Sequence, residues 1–185
     1  VEGFSNIYAA GDCASVRNII TGKPDYFPLG TTANKQGRTA GLNIGGKHDL
    51  FKGTAKAQVF KLFNLEIGRT GLTEHESEEA GFKPVSVCLD LRNKGGVFEK
   101  SGNIRIKLTA DKETHRFLGC SMAGVEGVSK RLDVFTTLIS FNIKLEEAKN
   151  LDFTYSPPFS TVWDINAVAI QKLLDKLLPG STTKQ

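Results

Sequence analysis

The chain has 185 residues, a formal net charge of +4, and hydrophobic and charged fractions of 39% and 24%, which are typical of a soluble globular protein. Its lysines are scattered, which argues against a nucleic-acid partner, and its apolar runs are too short and too interrupted for a membrane span. The three cysteines, Cys13, Cys88 and Cys120, lie far apart. This spacing favours neither a disulfide framework nor a metal site, so a reducing cytoplasm is the expected setting.

The N-terminal part of the chain predicts a strand, a loop and a helix. Asn6–Ala10 is the predicted strand, and the glycine and prolines of Ser15–Gly30 predict irregular structure. The helix is expected to begin near Thr31 or Thr32, whose hydroxyl would cap the first free amides, and to end near Gly45. This unit cannot bury its apolar face alone, so it needs strands that the chain lacks.

From about residue 51 the pattern predicts a separate α+β domain with a largely antiparallel sheet and helices on one side. Five segments have the character of strands: Ala57–Leu62, Leu65–Thr70, Val85–Leu91, Gly102–Thr109 and Phe117–Met122. Thr73 and Glu76 have the spacing of a capping box at the start of a short helix. Three further helices are expected: Glu126–Phe141, Leu145–Lys149 and Asn166–Leu178, the last stopping at Pro179-Gly180.

The segment Ile7-Tyr8-Ala9-Ala10-Gly11-Asp12 carries the strongest functional signal. An apolar stretch leads into a turn of small residues that ends on an acid. Such a turn allows the backbone to approach a ligand closely and leaves one carboxylate to accept hydrogen bonds from hydroxyls. The alternative is that Asp12 caps the following turn.

This segment resembles the second flavin-binding motif of the FAD-dependent pyridine nucleotide–disulfide oxidoreductases, in which the aspartate holds the ribityl chain of FAD. Pro28–Arg38 resembles the segment that starts the flavin-facing helix in the NADH oxidase and coenzyme A-disulfide reductase branch. Four later blocks follow in the order found in the dimerisation domain of that branch: Ala57–Gly71, Leu118-Gly119, Glu126–Asp133 and Tyr155–Ser160. The resemblance therefore extends over essentially the whole chain.

The resemblance implies a cofactor site in the first part of the chain. The expected FAD-contacting residues are Gly11, Asp12, Leu29, Gly30, Thr31, Thr32 and Ala33. The amides of Thr32 and Ala33 are the expected contacts at the helix N-terminus, which favours negative charge on a reduced flavin. The alternative is that Thr31–Ala33 only cap the helix. NAD(P)H would be bound mainly by an upstream domain, because the chain has no complete dinucleotide-binding fingerprint.

Tyr155 is the expected catalytic residue. The glutathione reductase and lipoamide dehydrogenase relatives present a His-Pro pair from this region, whereas here Tyr155 occupies it. In the resembling branch this tyrosine lies near the redox cysteine of the other subunit, and a phenol can donate a hydrogen bond to a thiolate or a peroxide oxygen. The alternative is that Tyr155 packs at the dimer contact. Lys61, Lys130 and Arg131 are weaker candidates for the phosphates of coenzyme A.

In the resembling family the flavin motif comes late in the polypeptide, so we expect this chain to be the C-terminal portion of a larger enzyme. The expected boundaries are 1–50 for the remnant of the FAD-binding domain, 51–180 for the dimerisation domain and 181–185 for a frayed tail. The acceptor would be a disulfide, a peroxide or oxygen, with coenzyme A as a further candidate. The portion itself is expected to be inactive alone.

Large apolar residues in the second domain favour a two-fold homodimer: Phe135, Phe141, Phe153, Phe159 and Trp163. A free-standing homodimerising interaction domain without catalysis is the alternative from a different class, and residues 1–48 distinguish the two, because such a domain has no use for a flavin-type turn. A flavoprotein similar to apoptosis-inducing factor agrees less well with the Tyr155–Phe159 block.

Overall fold

The computed structural model describes residues 1–178, and the expected tail at 181–185 and the stop at Pro179-Gly180 lie outside the described residues. The chain divides into two compact units, which we call unit 1 (Val1–Lys56) and unit 2 (from Ala57). Among residues 1–178, no helix combines the length and the apolar character needed to cross a bilayer.

Unit 1 contains one long helix and a very short hairpin. Its elements are β1 (Val16–Arg17), β2 (Pro24–Asp25) and α1 (Gly30–Ile44). The hairpin lies inside the segment predicted to be irregular. The predicted strand Asn6–Ala10 is wrong, because these residues carry no strand pairing in the structure. An apolar extended segment becomes a strand only when a neighbouring strand pairs with its backbone groups, and no strand among the described residues pairs with this segment.

Helix α1 ends as predicted, at Ile44 with Gly45 following, but its start differs from the prediction. Leu29 is the N-cap residue, with an extended backbone, and no side chain caps the helix. The prediction that Thr31 or Thr32 supplies the cap is wrong, because both residues already lie inside the first turn. The helix therefore begins with amides that no side chain satisfies.

Unit 2 contains a five-stranded antiparallel sheet with the order β3-β4-β7-β6-β5. Its strands are β3 (Gln58–Leu62), β4 (Leu65–Gly71), β5 (Pro84–Arg92), β6 (Asn103–Asp111) and β7 (Phe117–Gly124). All five predicted strands are confirmed, with ends that shift by one or two residues. Strands β3 and β4 meet through a tight turn in which Phe63 has a φ of 51°.

The helices of unit 2 are α2 (Glu74–Glu79), α3 (Val128–Ser140), α4 (Leu145–Ala148) and α5 (Ile165–Leu177). Alternate residues of β6, Ile104, Ile106 and Leu108, are almost fully buried, and α3 and α5 pack against the sheet. Phe135 of α3 contacts Phe117 with ring centroids 5.9 Å apart. This face of the sheet forms the core that the apolar alternation predicts.

The capping box at the start of α2 is confirmed, since Thr73 and Glu76 satisfy each other's backbone amides. Glu76 also pairs with Arg69, and Glu74 pairs with Lys107, at N···O distances of 2.5 Å. Arg69 and Lys107 lie next to core residues along their strands, so their side chains extend on the opposite face of the sheet. The prediction of helices on one side therefore holds for α3 and α5 but not for α2.

Candidate functional site

The Gly-Asp turn of unit 1 is held by local hydrogen bonds and by one side chain of α1; locally, the thiol of Cys13 donates to the carbonyl of Ala10 at 3.6 Å. The amide of Ala14 donates to the carbonyl of Gly11 at 3.0 Å, and Gly11 has a φ of +100°. A Cβ at Gly11 would meet no atom within 4 Å, so the glycine is needed for its backbone conformation rather than for space. The amide of Gly11 donates to the side-chain oxygen of Gln36 at 3.1 Å.

Asp12 is exposed at the tip of this turn. The backbone bond between Ala14 and Gly11 closes the turn, and no described residue forms a hydrogen bond or ion pair with the Asp12 carboxylate. The alternative that Asp12 caps the turn therefore finds no supporting contact. The carboxylate is left available to accept hydrogen bonds from a ligand.

The first turn of α1 offers unpaired amides, although not the pair that we expected. The amide of Ala33 donates to the carbonyl of Leu29 at 2.9 Å, so it already forms the first bond of the helix. The expectation for Ala33 is corrected for this reason. Gly30, Thr31 and Thr32 precede that bond, and their amides have no acceptor among the described residues.

A shallow groove of about 230 Å³ runs between the segment before the turn and α1. Tyr8 and Ala9 line one side, and Gln36, Thr39 and Ala40 line the other. Gln36 therefore borders both the groove and the turn. Gln36 lies within Pro28–Arg38, the block that resembles the start of the flavin-facing helix, but no sequence signal distinguishes it from its polar neighbours Asn34 and Lys35.

Tyr155 lies in unit 2, on the irregular segment between α4 and α5. Half of its surface is exposed, at 51%, and its hydroxyl has no hydrogen-bond partner among the described residues. The amides of Phe159 and Ser160 both donate to the carbonyl of Ser156, at 2.9 and 3.1 Å, which closes a compact turn directly after Tyr155.

A buried ion pair anchors the end of this turn. The guanidinium of Arg131 lies 3.0 Å from the carboxylate of Asp164, and their side chains are only 11% and 9% exposed. Arg131 also donates to the carbonyls of Asn93 at 3.1 Å and Phe159 at 3.4 Å. The hydroxyl of Ser160 donates to the same Asp164 oxygen at 3.3 Å. This pair was not predicted, because the two residues lie 33 positions apart.

These contacts correct the assignment of Arg131 to a coenzyme A phosphate, since its guanidinium is already committed to protein acceptors. Lys130 is exposed and pairs with Asp133 at 2.8 Å.

The aromatic residues expected at the dimer interface differ in exposure. Phe135 is fully buried in the core, so it is not an interface anchor. Phe141, Phe159 and Trp163 are each about three-quarters exposed.

A second ion pair supports the loop next to the Tyr155 segment. Lys94 pairs with Glu126, and the hydrogen bond from Lys94 lowers the pKa of the Glu126 carboxyl, while partial burial opposes this effect. The carbonyl of Lys94 accepts from the hydroxyl of Ser101 at 3.3 Å.

The residues that the structure describes include no cluster of His, Cys, Asp or Glu side chains with metal-binding geometry.

Comparison with known proteins places this geometry in a family. Residues 57–166 match the family described as pyridine nucleotide-disulphide oxidoreductase, dimerisation domain, and the chain belongs to this family. It is 36% identical over 159 residues to an NAD(P)H sulfur oxidoreductase (CoA-dependent) of Pyrococcus furiosus. The matched region covers 86% of this chain and 36% of that protein. It is 34% identical to an NADH oxidase of Methanocaldococcus jannaschii, which covers 93% of this chain and 38% of that protein.

Solved structures agree with this assignment. An NAD-dependent persulfide reductase from A. fulgidus superposes with a TM-score of 0.89 at 32% identity, over 94% of this chain and 32% of that one. An FAD-dependent pyridine nucleotide-disulphide oxidoreductase from Desulfovibrio vulgaris gives 0.76 at 28% identity, over 93% of this chain and 39% of that one. The chain thus spans little more than a third of the length of the curated relatives it matches.

Proposed function

We propose that this chain supplies the dimerisation module and part of the flavin site of an FAD-dependent NAD(P)H oxidoreductase. The names of the relatives support an activity that uses NAD(P)H, and the resemblance of the Gly-Asp turn supports FAD. The single observation that carries the proposal is the exposed Asp12 carboxylate on a turn tied to α1, without a partner among the described residues. A reducing cytoplasmic setting is part of the proposal, supported by the three free cysteines.

Within this proposal the cradle for FAD has two parts, the turn that carries Asp12 and the first turn of α1, and each part binds a different portion of the cofactor. Asp12 would accept hydrogen bonds from a ribityl hydroxyl, with Gly11 allowing the close approach of the backbone. The unpaired amides of Gly30, Thr31 and Thr32, which follow Leu29, would face negative charge on the ring. FAD, when bound, supplies the chemistry that accepts hydride from NAD(P)H and passes electrons to a disulfide, a peroxide or oxygen.

We propose further that Tyr155 donates a hydrogen bond at the acceptor site of a second copy of the chain. Its unpaired hydroxyl and exposed position leave it available, and the closed turn after it limits its freedom. Exposed Phe159 and Trp163 on the same segment support a homodimer contact there, because aromatic side chains are enriched at interface centres. A homodimerising domain without catalysis needs these aromatics too, so the flavin test decides between the two functions.

The test of the flavin site uses the full-length parent protein, purified and titrated with FAD after the flavin has been removed. Asp12→Ala should weaken FAD binding roughly 10- to 100-fold, because it removes a charged acceptor worth about 1.5–3 kcal/mol. Asp152→Ala is the matched control, since Asp152 is an exposed aspartate on an irregular segment of unit 2. A parent that takes up no flavin refutes the function, and equal affinities of the two variants refute the role of Asp12.

The test of Tyr155 uses the same parent with its flavin bound. Tyr155→Phe should lower kcat roughly tenfold, equivalent to one hydrogen bond of about 1.4 kcal/mol, without changing the flavin content. Tyr26→Phe is the control, since Tyr26 is also exposed, at 65%, but lies in unit 1. Unchanged kcat would leave Tyr155 as a packing residue of the dimer contact. The 185-residue chain alone is expected to turn over no NADH.

A further inference from the structure

We propose that Gln36 is the positioning residue of the flavin site, and that its side chain sets the affinity for FAD by fixing the turn that carries Asp12. The inference depends on the proposed function and deepens it. Gln36 would touch neither the cofactor nor a substrate. It would act only through the backbone on either side of Asp12.

The side-chain amide of Gln36 forms two bonds that bracket the turn. Its oxygen accepts from the amide of Gly11 at 3.1 Å, and its nitrogen donates to the carbonyl of Ser15 at 3.1 Å. The residues between these two anchors include Asp12. The arrangement requires an acceptor and a donor on one planar group, which a carboxylate or an aliphatic side chain cannot provide.

Little else among the described residues restrains this turn. Gly11 is a glycine at a φ of +100° with open space around it, and Asp12 and Cys13 are exposed. The bond from Ala14 to Gly11 closes the turn internally but does not attach it to the rest of unit 1. The two bonds from Gln36 attach it to α1, so they determine where the Asp12 carboxylate lies relative to that helix.

Helix α1 therefore positions both parts of the proposed cradle, because one part is its own first turn and the other is attached to it through Gln36. The unpaired amides occupy its first turn, and Gln36 lies six residues after Gly30, about 9 Å further along a rigid helix. A ligand that contacts both Asp12 and those amides binds more tightly when their separation is fixed beforehand, because less ordering remains to be done on binding. Loss of the Gln36 bonds should loosen the separation without unfolding the helix.

The experiment measures FAD affinity in the full-length parent by flavin fluorescence, with the visible absorption spectrum of the bound flavin as a second readout. Gln36→Leu should weaken FAD binding at least fivefold and change the spectrum. Gln36→Glu keeps an acceptor for Gly11 but loses the donor to Ser15, so it should not restore affinity. Gln171→Leu is the control, because Gln171 is an exposed glutamine that bonds only its helical neighbour Asp175 in the described structure.

The outcomes separate the inference from the proposed function. If the parent binds FAD and Asp12→Ala weakens it, but Gln36→Leu matches Gln171→Leu, the role of Gln36 is refuted and the function stands. A parent that binds no FAD refutes both. Gln36→Asn keeps both polar groups on a shorter side chain that cannot reach both anchors, and it should weaken binding even if the leucine variant fails to fold. Hydrogen exchange in the full-length parent should show that the amide of Gly11 loses protection in the Gln36→Leu variant, which has no acceptor for it, and retained protection would overturn the inference.

Discussion

The turn that carries Asp12 and the segment that carries Tyr155 are both exposed, but different interactions hold them. The Asp12 turn depends on the neutral amide of Gln36. The Tyr155 segment is anchored by the ion pair between Arg131 and Asp164, which is buried against the core of unit 2. The first attachment consists of two hydrogen bonds to one neutral side chain, whereas the second is coupled to the packing of a whole domain.

The surroundings of the two segments explain this difference. Unit 1 relies on polar bridges: Asn18, for example, is buried, accepts from the amide of Ile20 at 2.9 Å and donates to Asp25 at 3.1 Å. Unit 2 has a continuous apolar core between its sheet and helices α3 and α5. A change at the anchor of Tyr155 should therefore cost folding free energy, whereas a change at the Asp12 turn should mainly cost ligand binding.

The largest effect is expected when the ion pair loses its cation. Arg131→Met leaves the Asp164 carboxylate buried without its partner and should lower the free energy of unfolding by about 3 kcal/mol. Urea denaturation of the 185-residue chain measures this loss. Trp163 is the only tryptophan of the chain and lies next to Asp164, so its fluorescence should report the loosened segment at low urea.

Two further variants test the cause. Lys130→Met removes the neighbouring cation, which is exposed on α3, and should leave the unfolding curve unchanged. Asp164→Asn in the Arg131→Met background removes the unpaired charge and keeps an N-cap for α5, so part of the stability should return. If the Arg131→Met variant is no less stable than wild type, the view that the Tyr155 segment is anchored through the core is contradicted.

The second effect is smaller and depends on pH. Lys94 lies on the loop between β5 and β6, and its hydrogen bond holds the pKa of the Glu126 carboxyl below the ordinary value. A lowered carboxyl pKa stabilises the fold above the unfolded-state pKa of about 4.3, and this contribution is lost as the pH falls through the lowered value. Lys94→Met should therefore cost about 1 kcal/mol at pH 7, since Glu126 is partly solvated, and almost nothing near pH 3.

Lys107→Met is the matched control for this pH dependence. Lys107 also pairs with a glutamate, Glu74, but its side chain is 44% exposed, whereas that of Lys94 is 11% exposed. Lys107 also lowers the pKa of the Glu74 carboxyl through its hydrogen bond, but water screens this exposed pair, so the control should lose less stability at pH 7 than Lys94→Met does. Equal losses for the two lysines would show that burial next to the Tyr155 segment does not strengthen the pair.

Local patterns in the sequence predicted those parts of the fold that depend on neighbouring residues. Alternation along β6 and the spacing of Thr73 and Glu76 both gave the observed elements. The errors arise where the partner is distant in the sequence or is not among the described residues. Residues 6–10 lack a neighbouring strand, and the positive charge of Arg131 suggested a phosphate although its acceptor lies 33 residues away. The Gly-Asp pattern is visible in the sequence, but its attachment through Gln36 spans 25 residues and is not.

The smallest effect concerns two glycines of unit 1 that differ only in backbone conformation. Gly11 and Gly37 both have open space where a Cβ would lie, but Gly11 has a φ of +100° and Gly37 lies inside α1. Gly11→Ala should therefore strain the Asp12 turn by about 1 kcal/mol, whereas Gly37→Ala should stabilise α1 by up to about 1 kcal/mol. Proteolysis of the 185-residue chain near residues 11–14 should accelerate in the first variant, and helix content by circular dichroism should hold or rise in the second. If Gly11→Ala changes neither the rate of proteolysis nor the FAD affinity of the parent, the Asp12 turn has no defined conformation. The contrast between a turn held by Gln36 and a Tyr155 segment anchored in the core is then contradicted.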